Sequence, residues 1–122
     1  GAEAHLGYAT DLGRATPGLI SLLMGVDVLA IESNYCRDMQ VASDRPEFLK
    51  SRIMDGSGHL SNDECLDAVH AISTRERVVL LHLSRQCNTP ETASRGHENG
   101  RYALTVAPAD GPTDLLDIAW AE

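Results

Sequence analysis

At 122 residues the chain has the length of one domain, spanning 1–122, with room for a modest core and not for two. Hydrophobic residues make up 43% and charged residues 23%, the balance of a soluble globular protein. The formal net charge of -8 argues against a general nucleic-acid or acidic-membrane surface. It leaves a phosphate-bearing substrate open, because a bound cation can supply local positive charge against the overall field. Three cysteines, Cys36, Cys65 and Cys87, form no paired motif, so reduced thiols in the cytoplasm are expected rather than a disulfide framework. No signal peptide is visible and no apolar run is long enough to span a bilayer, so no membrane association is expected.

In chain order, "HLGYATD" (5–11) reads as a strand ending at Asp11, with Gly13 in the following turn. "TPGLISLLMG" (16–25) reads as a short helix capped by Thr16, with Pro17 at its first position and Gly25 as its stop. "DVLAIE" (27–32) is a second buried strand. "SNYCRDMQ" is a loop or short helix, and "RPEFLKSRIM" (45–54) a further helix from near Pro46. "DGSGHL" (55–60) is a glycine-punctuated loop. "SNDECLDAVHAIS" (61–73) is the clearest helix: Ser61 and Glu64 make a capping box, and Cys65, Ala68, Val69 and Ile72 line one face. "VVLLHLSRQCNTPE" (78–91) begins as a strand apolar on both faces and turns polar at His82. Another helix starts at Thr89 and Pro90, with Gly100 near its end. "RYALTVAP" and "DLLDIAW" are two short strands around Asp110-Gly111-Pro112, read as an edge hairpin.

Strands alternating with helices imply an α/β domain with a mainly parallel sheet, and such sheets take their ligands at the carboxyl ends of the strands. Asp11, Glu32 and His82 each end a strand in a group able to bind a metal or move a proton. His59 precedes a capped helix terminus, where free N–H groups favour an anion. One edge of the sheet therefore collects two carboxylates, two imidazoles and an anion pocket. Taken singly, each has a plainer role. Asp11 suits turn chemistry, Glu32 an acceptor for the "SN" loop, His59 a surface position, and His82 a satisfied core histidine. His5, His70 and His97 read as partly exposed side chains, the cysteines as small buried residues, and the "NDECLD" acids as a solvated helix face.

"YATDLG", "LAIESN", "LKSRI", "GHLSN" and "VVLLHLSRQCNTPE" occur in the order and spacing of the carboxyl-terminal half of the metallo-β-lactamase superfamily. The stretch from about Gly7 to Glu91 most resembles the YycJ/WalJ-like branch of bacterial metallohydrolases. The resemblance implies half of an αββα sandwich: a mainly parallel sheet with flanking helices, closed here by the C-terminal β-hairpin. It implies that Asp11 matches the carboxylate bridging two divalent ions, zinc or manganese, and that His82 matches the last histidine ligand. His59 matches the catalytic histidine that protonates a leaving oxygen in phosphodiesterase branches. Glu32, Asn34, Ser84 and Asn88 fall at positions that support the ligands or shape the substrate loops.

The chemistry suits these residue types. A bridging carboxylate neutralises paired cations, imidazoles complete borderline-soft ions, and an imidazole has a pKa suited to proton transfer. The family's HxHxDH motif is not in the sequence, so part of the metal site is missing from this chain. The expected function is a metal-dependent, phosphodiesterase- or nuclease-like hydrolase, with a nucleic-acid or phosphodiester substrate and either a missing N-terminal half or a second copy as partner. The alternative is a non-catalytic, self-associating or partner-binding module of the same fold.

Overall fold

The computed structural model describes residues 5–10, 13–56 and 58–107. The elements run β1 (Leu6–Ala9), α1 (Pro17–Leu23), β2 (Val28–Glu32), α2 (Arg37–Ala42), α3 (Glu47–Met54), α4 (Asn62–Ile72), β3 (Arg77–Leu81), α5 (Pro90–Ser94) and β4 (Ala103–Val106). Local chemistry accounts for their ends. The Thr16 hydroxyl accepts from the Leu19 amide at 3.2 Å to open α1, and Gly25, at φ 73, turns the chain away after it. The capping box of α4 forms as expected: Ser61 Oγ accepts from the Glu64 amide at 3.1 Å, and Glu64 Oε1 from the Ser61 amide at 2.8 Å. Cys65, Ala68, Val69 and Ile72 form its buried face. The "SNYCRDMQ" segment resolves into the short helix α2.

The final helix is shorter than the sequence suggests. Thr89 caps α5 through the Thr92 amide at 3.1 Å, but the helix stops at Ser94 instead of running toward Gly100. Gly96, at φ 89, takes the left-handed conformation that helix interiors do not accept. The second strand of the expected hairpin, "DLLDIAW", lies outside the described residues.

The four strands form one parallel sheet in the order β1-β2-β3-β4. Each strand therefore pairs with its predecessor in sequence. Parallel crossovers share one hand, so successive steps in one direction stack their helices on one face. On that face Leu29, Ile31, Val78 and Leu80 pack against Leu23 of α1, against Cys65, Ala68, Val69 and Ile72 of α4, and against Ala93 of α5. A second cluster of Tyr35, Ile53 and Cys87, flanked by Met39, Leu49 and Met54, joins α2 and α3 to the loop after β3. The alternate strand positions point to the other face, where Leu6 and Tyr8 are exposed.

Register decides what meets at the rim. Glu32 pairs with Leu81, so the last residue of β2 lies beside the last residue of β3, and His82 follows at once.

Candidate metal centre

Glu32 ends β2 with its side chain fully buried, a costly place for a carboxylate unless cations or donors meet it. Two imidazoles do. His59 Nδ1 lies 2.7 Å from Glu32 Oε2, and His82 Nδ1 lies 3.2 Å from the same oxygen. The rings sit edge to face with centroids 5.6 Å apart. The carboxylate is sealed behind them, while the histidine side chains keep 34% and 46% of their exposure. The site thus presents imidazoles to solvent and hides its negative charge.

Each imidazole is placed by a local backbone device. His82 adopts φ 63, a left-handed conformation rare outside glycine, though histidine is among the side chains that tolerate it. Asn34 holds the strained peptide by donating from Nδ2 to the His82 carbonyl at 2.7 Å. His59 is placed by Gly58. A side chain there would come within 3.0 Å of the Arg52 and Ile53 backbone, and the His59 amide donates to the Ile53 carbonyl at 3.1 Å.

A buried amide network ties the three loops of this rim together. Asn88 Nδ2 donates to the carbonyls of Ser33 at 2.9 Å and Asn34 at 3.0 Å. Asn88 and Asn62 exchange side-chain hydrogen bonds, each at 2.9 Å, and the Ser33 hydroxyl donates to Asn62 Oδ1 at 2.7 Å. Ser84 donates its amide to the Asn34 carbonyl at 2.7 Å and accepts from the Cys87 amide with its hydroxyl at 3.0 Å. The Ser33 and His82 carbonyls, just past the ends of β2 and β3, take these carboxamides as partners, and the Asn34 carbonyl accepts from Asn88 beside the Ser84 amide.

The structure places the residues singled out in the sequence as follows. His59, His82 and Glu32 come together, and Asn34, Ser84 and Asn88 form the loop framework around them. Asp11 lies outside the described residues. At the Glu32 carboxylate the structure places the two histidines, while the Ser33 hydroxyl donates to Asn62 and the Asn34 carboxamide to the His82 carbonyl. His97 is buried, not partly exposed, because its ring packs edge-on to Tyr102 and its Nδ1 lies 2.6 Å from the Tyr102 hydroxyl. Asn62 and Arg45 escaped the sequence reading. Asn62 looked like one more polar residue of a solvated first turn, and only the three loops meeting in space give it partners.

Three donor atoms, one each from Glu32, His59 and His82, lie within 4.8 Å of one another. Two imidazoles and a carboxylate are a donor set used by open hydrolytic zinc sites, so these residues fit a divalent ion. One carboxylate oxygen serving two Nδ1 atoms also suits the arrangement in which an acid fixes ring orientation and leaves Nε2 facing outward. Cys65, beneath the rim, is a different matter. Burial pushes its thiol up to about 12, with a hydrogen bond from Ser33 opposing this and the Glu32 charge adding to it, so it is a protonated thiol at neutral pH in the metal-free chain.

The topology and rim define a class of fold: a parallel sheet with α1, α4 and α5 packed on one face and a carboxyl edge whose donors fit a divalent ion. No protein-family model matches the sequence, and no curated protein matches it. Among solved structures, the chain is similar to a diphosphatase from the PhnP family (TM-score 0.56, 15% identity, 90% of this chain and 35% of that one). It is also similar to YhfI, a metallo-β-lactamase fold protein from Bacillus subtilis (TM-score 0.55, 14% identity, 87% of this chain and 38% of that one). The fold is that of the metallo-β-lactamase proteins, and the chain spans little more than a third of the length of these two. No helix among the described residues is long and apolar enough to cross a membrane.

Proposed function

We propose that the chain carries part of the site of a metal-dependent phosphoester hydrolase of the metallo-β-lactamase superfamily, phosphodiesterase- or nuclease-like and of the YycJ/WalJ-like branch. The convergence of Glu32, His59 and His82 on one oxygen carries this reading. His82 and Asp11 serve as metal ligands, with the remaining ligands supplied by an amino-terminal half outside this chain. Divalent ions held by these residues would supply Lewis-acid chemistry, lowering the pKa of water and offsetting charge on a phosphoryl group. His59 is the proton donor to the leaving oxygen. Its Nδ1 is held by Glu32 at 2.7 Å, which fixes the ring and leaves Nε2 to deliver the proton. Glu32 and Asn34 position the two imidazoles, and Ser84 and Asn88 hold the loop that walls the site. A cytoplasmic location belongs to the same reading and is supported by three unpaired cysteines.

Metal analysis of the chain after dialysis against zinc or manganese, with turnover of bis(p-nitrophenyl) phosphate, tests this. Metal uptake is expected, weakened by roughly 10- to 100-fold in Glu32→Gln and at least as much in His82→Ala. No uptake and no turnover would leave the alternative, a self-associating or partner-binding module. The exposed Leu6 and Tyr8 on the sheet face favour that second reading. A monomer by light scattering would count against self-pairing.

A further inference from the structure

Beside the imidazoles opens a cavity of about 510 Å³, lined among others by His59, His82, Arg45, Arg85, Ser84 and Gln86. The chain has 18 acidic residues against 10 lysines and arginines, yet this cavity gathers two guanidiniums and two imidazoles. No carboxylate is among the described residues that line it, because Glu32 is sealed behind the histidines. Two guanidiniums against the single carboxylate behind the imidazoles leave this concavity positive on an acidic molecule, and such a place focuses anions. Arg45 is also held in position: its Nε donates to Gln86 Oε1 at 2.8 Å, which ties the α2–α3 turn to the loop after β3. Among the described residues, its terminal amino groups have no other partner, and a guanidinium fork of this kind matches the oxygens of a phosphate.

The geometry points to Arg45 and Arg85 as an anion subsite that holds a second, non-reacting phosphate of the substrate while the first lies at His59 and His82. It rests on the hydrolase reading for what happens at the imidazoles, but the subsite itself is made by the two arginines. The substrate class is a nucleotide-sized phosphoester with two anionic groups. The cavity volume falls in the range of small-molecule sites. A long polynucleotide would need cations spread along a surface whose net charge is -8.

Inorganic pyrophosphate is the probe, titrated by calorimetry into the full chain stripped of metal with EDTA. Pyrophosphate is expected to bind more tightly than orthophosphate, with affinity falling as salt rises. Arg45→Ala and Arg85→Ala should each weaken it about tenfold or more, and Arg45→Lys should lie between, because it keeps the charge and loses the fork. Both arginines have solvent-facing surface, and unchanged circular dichroism and melting confirm that the variants fold. Zinc uptake by both alanine variants should equal that of the unsubstituted chain. Arginine-dependent pyrophosphate binding without any zinc uptake would remove the hydrolase reading and keep the subsite. Equal pyrophosphate affinity in both alanine variants would overturn the subsite, whatever the zinc result. A short single-stranded oligonucleotide that binds more tightly than pyrophosphate through the same arginines would overturn the assignment to a nucleotide-sized substrate.

Discussion

The helix-packed face of the sheet and its carboxyl rim are built on different terms. On the face, Leu29, Ile31, Val78 and Leu80 meet α1 and α4 through non-directional apolar contact, in which one hydrophobic side chain can stand in for another of similar volume. At the rim, the polar groups have specific partners from far along the chain: Asn34 reaches across 48 residues to His82, and Asn88 across 55 to Ser33. The face stores stability, whereas the rim stores position. A substitution on the face should cost stability and spare the site, while one at the rim should cost less stability and disturb the site more.

The largest expected effect tests the first half of that contrast. Leu29 is fully buried, so Leu29→Ala should destabilise the chain by about 2–5 kcal/mol through lost transfer energy and a residual cavity. The urea midpoint measures this, and zinc affinity of the folded fraction should stay unchanged. Asn88→Ala comes next, at about 1–3 kcal/mol, because it strands the Ser33 carbonyl and leaves the Asn34 carbonyl only the Ser84 amide. Unlike Leu29→Ala, it should shift amide resonances across residues 33–36 and 82–88 and lower zinc affinity. If both variants lower zinc affinity equally, the separation of face from rim is wrong.

The smallest effect sharpens the contrast at a third place. Burial, aided by the charge of nearby His70 and opposed by Glu98, holds the His97 pKa below its ordinary 6.5. The folded chain therefore resists protonation that the unfolded chain accepts. Its contribution to stability is present above about pH 6.5 and is lost as pH falls from there toward the folded value. Melting temperatures across that window should fall with pH, and less steeply in His97→Gln.

How much was legible in the sequence follows the same division. Periodicity and caps carried the helix-packed half: the α4 stripe, Thr16, the Ser61–Glu64 box and the parallel strands follow from local pattern. Strand ends also carried part of the rim, because β2 and β3 deliver Glu32 and His82 to one edge whenever they pair in parallel. Sequence could not show that both imidazoles share one Glu32 oxygen, or that Asn62 and Asn88 pair their amides. Those matches depend on three loops approaching within ångströms, which no spacing rule encodes. His97 was misread for a related reason. Its burial comes from Tyr102 across a turn, and nothing around it in the chain is strongly apolar.

The order of the strands bears on how the molecule comes into being. Because β2, β3 and β4 each pair with the strand made just before them, none of these described strands has to wait for a later stretch of chain, and this sheet can grow along one advancing edge during synthesis. Glu32 is in place with the second strand, but His82 arrives only when the third has zipped on. The cluster of Glu32, His59 and His82 is therefore completed late in the nascent chain, after β3 has joined the sheet.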